Sequence, residues 1–199
     1  MIARRFWLGW MIASAVGAGV GVILWTGLGT SLEALGVSPD SPLPAAVAGT
    51  AFGTSLGVGQ WLALRRRLRG AGGWIVATGL GFTTVFVIGS TAFPQEASVE
   101  FSPSQQVLLG AALGAAVALP PAILQWLLVL RTQLARAGLW FVISVASWAI
   151  GFAISFGMRL AFGELTFVAG PVVSFALTGL AMLRLLAADK PSPPTTMTG

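Results

Sequence analysis

GQWLALRRRLRGAGGW, residues 59–74, and LQWLLVLRTQLARAGLW, residues 124–140, are two renderings of one phrase. Gln and Trp stand together, an Arg-bearing stretch follows, and Ala-Gly leads to a second Trp. Between Gln60–Trp74 and Gln125–Trp140, aligned with one inserted residue, nine of fifteen positions are identical. Each copy separates two long apolar stretches, so the phrase marks the turn of a helical hairpin. What surrounds those helices follows from composition.

The 199 residues are 56% hydrophobic and 9% charged, with a mean hydropathy of +0.88. A soluble domain carries roughly 25% charged residues, so this chain cannot cover a water-facing surface and its solvent is lipid. Six apolar stretches reach the roughly 20 helical residues that cross a hydrocarbon core of about 30 Å. They are Phe6–Leu28, Pro44–Leu64, Gly73–Phe93, Gln105–Leu130, Gly138–Met158 and Leu165–Leu186. None holds Asp, Glu, Lys or Arg away from its ends. The runs are continuously apolar and do not alternate, which excludes a transmembrane barrel. The expected fold is an all-α integral membrane domain over residues 1–187. Its six transmembrane helices form three pseudo-repeated hairpins, about 5–65, 70–131 and 137–186. The polar, Pro-rich stretch 188–199 is expected to be a disordered cytoplasmic tail.

Arg4-Arg5 ahead of an apolar run, with Ala13-Ser14-Ala15 behind it, loosely mimics a signal peptide. Only Phe6 to Ile12 would form its apolar core, while the run continues to Leu28, so an uncleaved first helix is expected. Arg4, Arg5, Arg65, Arg66, Arg67, Arg69, Arg131, Arg136, Arg184 and Lys190 fall on one side of a six-crossing chain and Arg159 on the other. The positive-inside rule then places both termini in the cytoplasm and the protein in the inner (plasma) membrane. The opposite loops hold Glu33, Asp40, Glu96, Glu100 and Glu164. Trp7, Trp10, Trp61, Trp74, Trp126 and Trp140 would form an aromatic belt at the inner interface.

Three residue types are missing. Without Cys, His or Tyr the chain has no disulfide, thiolate nucleophile, imidazole base or imidazole metal ligand. The carboxylates lie in loops, the tail or an interface, away from any partner base, so no enzyme activity, metal or cofactor is expected. The net charge of +5 comes from cations set between apolar runs. Topology explains them, and nucleic acid does not.

Each odd helix carries a stripe. Trp10 is followed by Ser14 and Gly17, Trp74 by Thr78 and Gly81, and Trp140 by Ser144 and Ser147; the three copies are 64 and 66 residues apart. Positions +4 and +7 share a helix face with the Trp. Gly21 and Gly151 extend the stripe in two copies, and Val85 breaks it in the third. The even helices have stripes too. Gly49, Gly53 and Gly57 lead to Gln60; Gly110, Gly114 and Ala118 lead to Gln125; and Thr178 precedes Arg184 as Gln125 precedes Arg131. In lipid, helices associate by close packing and interhelical hydrogen bonds, so these are expected to be packing seams. Ser14, Thr78, Ser144, Gln60 and Gln125 would each contribute roughly 0.6 to 2 kcal/mol there. The alternative is that Gln60 and Gln125 line a polar vestibule for a solute. Pro120-Pro121 inside the fourth helix removes backbone donors and is either a packed kink or a gate. Arg65, Arg66, Arg67 and Arg69 set topology, with anionic lipid headgroups as their second candidate partner.

The phrase Gln-Trp-Leu-x-Leu-Arg, after a glycine ladder and before a Trp-initiated helix, resembles multispan bacterial membrane proteins of uncharacterised function in which the same hairpin recurs. The resemblance covers residues 49–148 and implies a fold, not an activity. Three two-helix repeats also suggest mitochondrial carriers, but the Pro-x-[Asp/Glu]-x-x-[Lys/Arg] signature of that family is absent from all three odd helices. The expected function is therefore non-catalytic. The chain would be an accessory or assembly subunit, or a binder of a lipid, carotenoid or quinone. A transporter or channel for a small neutral or lipid-like solute is the alternative. Expected partners are membrane lipids and other integral membrane subunits. Oligomeric state stays open.

Overall fold

A computed structural model describes residues 2–39, 41–92, 101–163 and 166–188, the side chains of residues 2, 160, 161 and 167 excepted. The expected tail beyond 188, with Lys190, lies outside the described residues, as do Asp40, Glu96, Glu100 and Glu164. Among the described residues the chain is helical, with six α-helices: α1 Ile2–Ala34, α2 Pro42–Leu64, α3 Gly73–Ala92, α4 Pro103–Gln125, α5 Gly138–Phe162 and α6 Thr166–Ala188. A single π-helical turn, Trp126–Leu130, extends α4. Each helix packs on its neighbours in sequence and α6 returns to α1, closing a ring.

Five stretches are long and apolar enough to cross a membrane: Ala3–Ala34, Gly73–Ala92, Pro103–Leu130, Gly138–Arg159 and Val168–Ala188. These are the features of a multi-pass membrane protein. The 23-residue α2 is not among them, because Thr50, Thr54, Ser55, Gln60 and its glycines dilute its apolar content. Those residues face other helices, α2 being wedged between α1 and α3.

Local chemistry explains where the helices begin and end. Ser102 caps α4: its Oγ accepts from Gln105 N at 3.4 Å, and Gln105 Oε1 accepts from Ser102 N at 2.8 Å. With Pro103 behind it, this reciprocal box starts the helix two residues before the expected Gln105. The first helix runs past the expected Leu28 to Ala34. There the hydroxyls of Thr26, Thr30 and Ser31 donate to the carbonyls of Val22, Gly27 and Gly27, so polar side chains stay within the helix. At 1.5 Å per residue α1 is about 50 Å long, so in a bilayer it must tilt or project.

The glycines show which faces meet. A Cβ on Gly49, Gly53 or Gly57 would lie 2.6 Å from Phe82 O, 2.6 Å from Thr78 O and 3.0 Å from Ile75 Cα respectively. The α2 ladder is thus pressed against α3. A Cβ on Gly110 would lie 2.6 Å from Phe152 O, and one on Gly114 would collide with Trp148 O, so the α4 ladder is pressed against α5. The stripe of each odd helix meets the following even helix. Gly17 abuts Ser55 and Gly21 abuts Phe52 of α2, Gly81 abuts Pro121 of α4, and Ser147 O accepts from Ser174 Oγ of α6.

Candidate functional site

The interior of the ring is built in three levels. At the end carrying the two Arg-bearing turns, Trp10, Trp74 and Trp140 meet edge to face, with ring centroids 6.1, 6.2 and 5.3 Å apart. Leu64, Leu68, Leu130, Leu134, Met182 and Phe6 enclose them. This corrects the aromatic-belt expectation for those three residues. They are 0%, 0% and 2% exposed and face the bundle core. Trp7, Trp61 and Trp126 are partly buried, and the Trp7 indole donates to Ala176 O at 2.9 Å.

An indole N–H needs a partner once buried, and the next level supplies one to each ring. Trp74 Nε1 donates to Gln60 Oε1 at 2.8 Å, Trp140 Nε1 to Gln125 Oε1 at 2.9 Å, and Trp10 Nε1 to Thr178 Oγ1 at 3.4 Å. Each bond ties an even helix to an odd one: α2 to α3, α4 to α5, α6 to α1. Gln125 also donates through Nε2 to Thr78 Oγ1 at 3.0 Å, and Thr78 Oγ1 donates to Trp74 O at 2.7 Å. These two bonds link α4 to α3. Gln60, Gln125, Thr78, Ser14 and Ser144 are all buried. Ser14 Oγ is the one buried side-chain polar atom among the described residues with no hydrogen-bond partner.

The third level is aromatic. Phe82 and Trp148 lie 5.9 Å apart, Trp148 and Phe175 6.0 Å, with Leu56 and Ala118 packed among them. Between this layer and the amides lies a cavity of about 20 Å³ lined by Gln60, Thr78, Gln125, Ser144, Thr178 and Pro121 among others. That is room for one water molecule, in a setting with enough polar groups to hold it.

The inserted residue of the second phrase has a structural counterpart. After Trp61 the helix keeps its normal step: Arg65 N donates to Trp61 O at 2.8 Å, four residues on. After Trp126 the corresponding bond is one residue longer, from Arg131 N to Trp126 O at 3.0 Å, which is the π turn. Beyond it the two turns share corresponding bonds. Leu68 N donates to Leu64 O at 3.0 Å and Leu134 N to Leu130 O at 2.9 Å; Trp74 N donates to Ala71 O at 3.0 Å and Trp140 N to Ala137 O at 3.1 Å. The π turn absorbs the insertion so that Gln125 and Trp140 keep the same relation as Gln60 and Trp74. The insertion was visible in the sequence; a π turn was not expected from it.

Pro120 and Pro121 sit inside α4, which continues through both. Pro121 is buried against Gly81, where a Cβ would collide with its Cα. Arg65, Arg66, Arg67 and Arg69 are all exposed. The Arg65 guanidinium lies 5.5 Å above the Trp61 ring and that of Arg67 5.1 Å above Phe6, a cation–π arrangement. Arg67 and Arg69 also border a hollow between the two turns, opposite Thr132 and Gln133. The sequence reading missed the Phe82–Trp148–Phe175 layer, whose only sequence signal is the small residues opposite it.

Against protein-family models, curated proteins and solved structures, the chain gives no match.

Proposed function

We propose that this protein is a non-catalytic, multi-pass membrane scaffold that acts through its lipid-facing surface, as an accessory or assembly subunit or a binder of lipid-like molecules. The observation that supports this reading is the use made of the interior polar groups. Gln60 and Gln125 hold buried indoles, and the space left beside them takes a single water. All six helices cross the bilayer in this reading, with both termini in the cytoplasm and the two Arg-bearing turns at the inner headgroups of the plasma membrane. Arg65, Arg66, Arg67 and Arg69 then meet anionic lipid. The chain is three repeats of one helical hairpin, joined by small-residue seams in the manner of glycine zippers, and akin to the bacterial proteins that share its Gln-Trp-Leu phrase.

One observation favours a second reading, a carrier of a small neutral or lipid-like solute. Pro121 lines the same cavity as Gln60 and Gln125, just before the π turn, and π turns are frequent at functional sites. Solute flux into liposomes separates the two. The scaffold reading expects flux of small neutral solutes equal to that of protein-free vesicles. Flux that is protein-dependent and abolished by Gln60→Leu with Gln125→Leu, in a protein that remains folded, would replace it with the carrier.

A further inference from the structure

A groove of about 590 Å³ opens on the outside of the ring between α5 and α6. Its walls are Leu139, Val142, Ala146 and Ile150 from α5 and Leu177 and Leu180 from α6, and its mouth is flanked by Arg136 and Arg184. Both arginines are exposed. Neither belongs to the Arg65–Arg69 cluster, and they are 48 residues apart in sequence. Both border this groove because Arg136 lies two residues before α5 while Arg184 lies in the last turns of the antiparallel α6.

We propose that this groove is a binding site for one anionic glycerophospholipid, with its phosphate between Arg136 and Arg184 and one acyl chain lying along the apolar walls. The occupant follows from charge and length. An apolar trough alone would take any chain, but two guanidinium groups at one end select a negative headgroup and can each hold phosphate oxygens through paired N–H donors. From Leu139 to Ile150 the trough runs for about 16 Å at the rise of an α-helix. That is about one leaflet, half of a hydrocarbon core of about 30 Å. A phospholipid has its charge at one end and one leaflet of hydrocarbon below it. A quinone or carotenoid lacks the charge. Ser147 is no competing polar anchor within the trough, because its hydroxyl already donates to Ile143 O at 2.6 Å. The proposal rests on the scaffold reading, and names the lipid class and the place.

The test uses the full-length protein in mild detergent. Dioleoyl phosphatidylglycerol or dioleoyl phosphatidylcholine is added, and retained lipid is counted by native mass spectrometry. The two lipids have the same chains and differ in headgroup charge. The wild type should hold one phosphatidylglycerol in preference to phosphatidylcholine. Arg136→Gln with Arg184→Gln should weaken that retention roughly tenfold or more, the scale expected for losing two cations at an anionic headgroup. Ala146→Trp, which fills the trough and leaves both arginines, should reduce it as well. Arg4→Gln with Arg5→Gln, exposed on α1 and outside the groove, should leave it unchanged. Thermal unfolding of every variant confirms folding independently. Equal retention of the two lipids by the wild type, or full retention of phosphatidylglycerol by the folded Arg136/Arg184 variant, overturns the site. Neither result bears on the scaffold reading, which stands or falls on solute flux.

Discussion

Gln125 accepts the indole proton of Trp140 at 2.9 Å and, through its other amide atom, donates to Thr78 at 3.0 Å. One amide thus joins α5, α4 and α3, whereas Gln60 joins α2 to α3 through Trp74 at 2.8 Å. Gln125→Leu should therefore cost more than Gln60→Leu. Each leaves one buried indole N–H unpaired, at roughly 1–3 kcal/mol, and Gln125→Leu also removes a second bond worth about 1 kcal/mol. Combining Gln125→Leu with Trp140→Phe removes both partners and should be milder than the two single costs added together. Thermal unfolding of the four variants in detergent checks the ranking; equal loss for Gln60→Leu and Gln125→Leu would contradict it.

Glycine-to-alanine changes should divide by position. Gly53→Ala places a methyl 2.6 Å from Thr78 O and 2.8 Å from Phe82 Cβ, where backbone must move. We expect about 1–3 kcal/mol of destabilisation. Gly19 in α1 has nothing within 4 Å of its would-be Cβ, so Gly19→Ala should stabilise by up to about 1 kcal/mol through helix propensity. Melting temperatures that move in the same direction for both would count against the α2–α3 seam.

Deleting Leu128 should convert the π turn to an α turn. The residue is 53% exposed, and its removal restores the spacing of the first phrase while leaving Leu130, Leu134 and Trp140 in register. Deleting Ala63 from α2, where Arg65 N already reaches Trp61 O at the normal step, must instead rotate Leu64 and Leu68 away from the tryptophans. Stability close to wild type for the first deletion and a large loss for the second is the expected outcome, read by thermal unfolding. If both deletions are equally damaging, the insertion is not what the π turn absorbs.

How much of this was legible in one dimension depends on what each signal encodes. The repeated phrase and the six apolar stretches depend on identity and period, and helices stand at those places. The correspondence of Thr178 with Gln125 could also be read, since both precede an Arg by six residues, and Thr178 does meet Trp10. The direction of Trp10, Trp74 and Trp140 was misjudged because interfacial and core tryptophans occupy the same depth in a helix. The correcting signal was present: each shares a face with the small residues at +4 and +7, and a face that packs on another helix turns its Trp inward as well. That Arg136 and Arg184 border one groove was hidden, because it arises only where two antiparallel helices lie side by side.

The sidedness of the bundle is open to cysteine labelling, since the chain has no native Cys. Leu35 lies between α1 and α2 and is 79% exposed, and Thr132 lies exposed in the second Arg-bearing turn. Leu35→Cys should react with a membrane-impermeant maleimide from outside intact cells, and Thr132→Cys only after lysis. Reversed labelling would invert the proposed topology.

Ser14 and Thr78 occupy the same position of the repeated stripe, four residues after Trp10 and Trp74, and both are 0% exposed. Their hydroxyls are in opposite situations. Thr78 Oγ1 accepts from Gln125 and donates to Trp74 O, so Thr78→Val keeps the shape, breaks both bonds and leaves a buried amide donor unpaired. A loss of about 1–3 kcal/mol follows. Ser14 Oγ has no partner, and a buried hydroxyl without one costs free energy in the native state. Ser14→Ala removes that cost together with the group, so it should leave the melting temperature unchanged or raise it. Only one of the two substitutions thus destabilises, at equivalent places, a contrast that a general sensitivity of the stripe to mutation would not produce. If Ser14→Ala instead destabilises as much as Thr78→Val, the Ser14 hydroxyl is held by a bound water or ligand, and the α1 face of the core is a binding site.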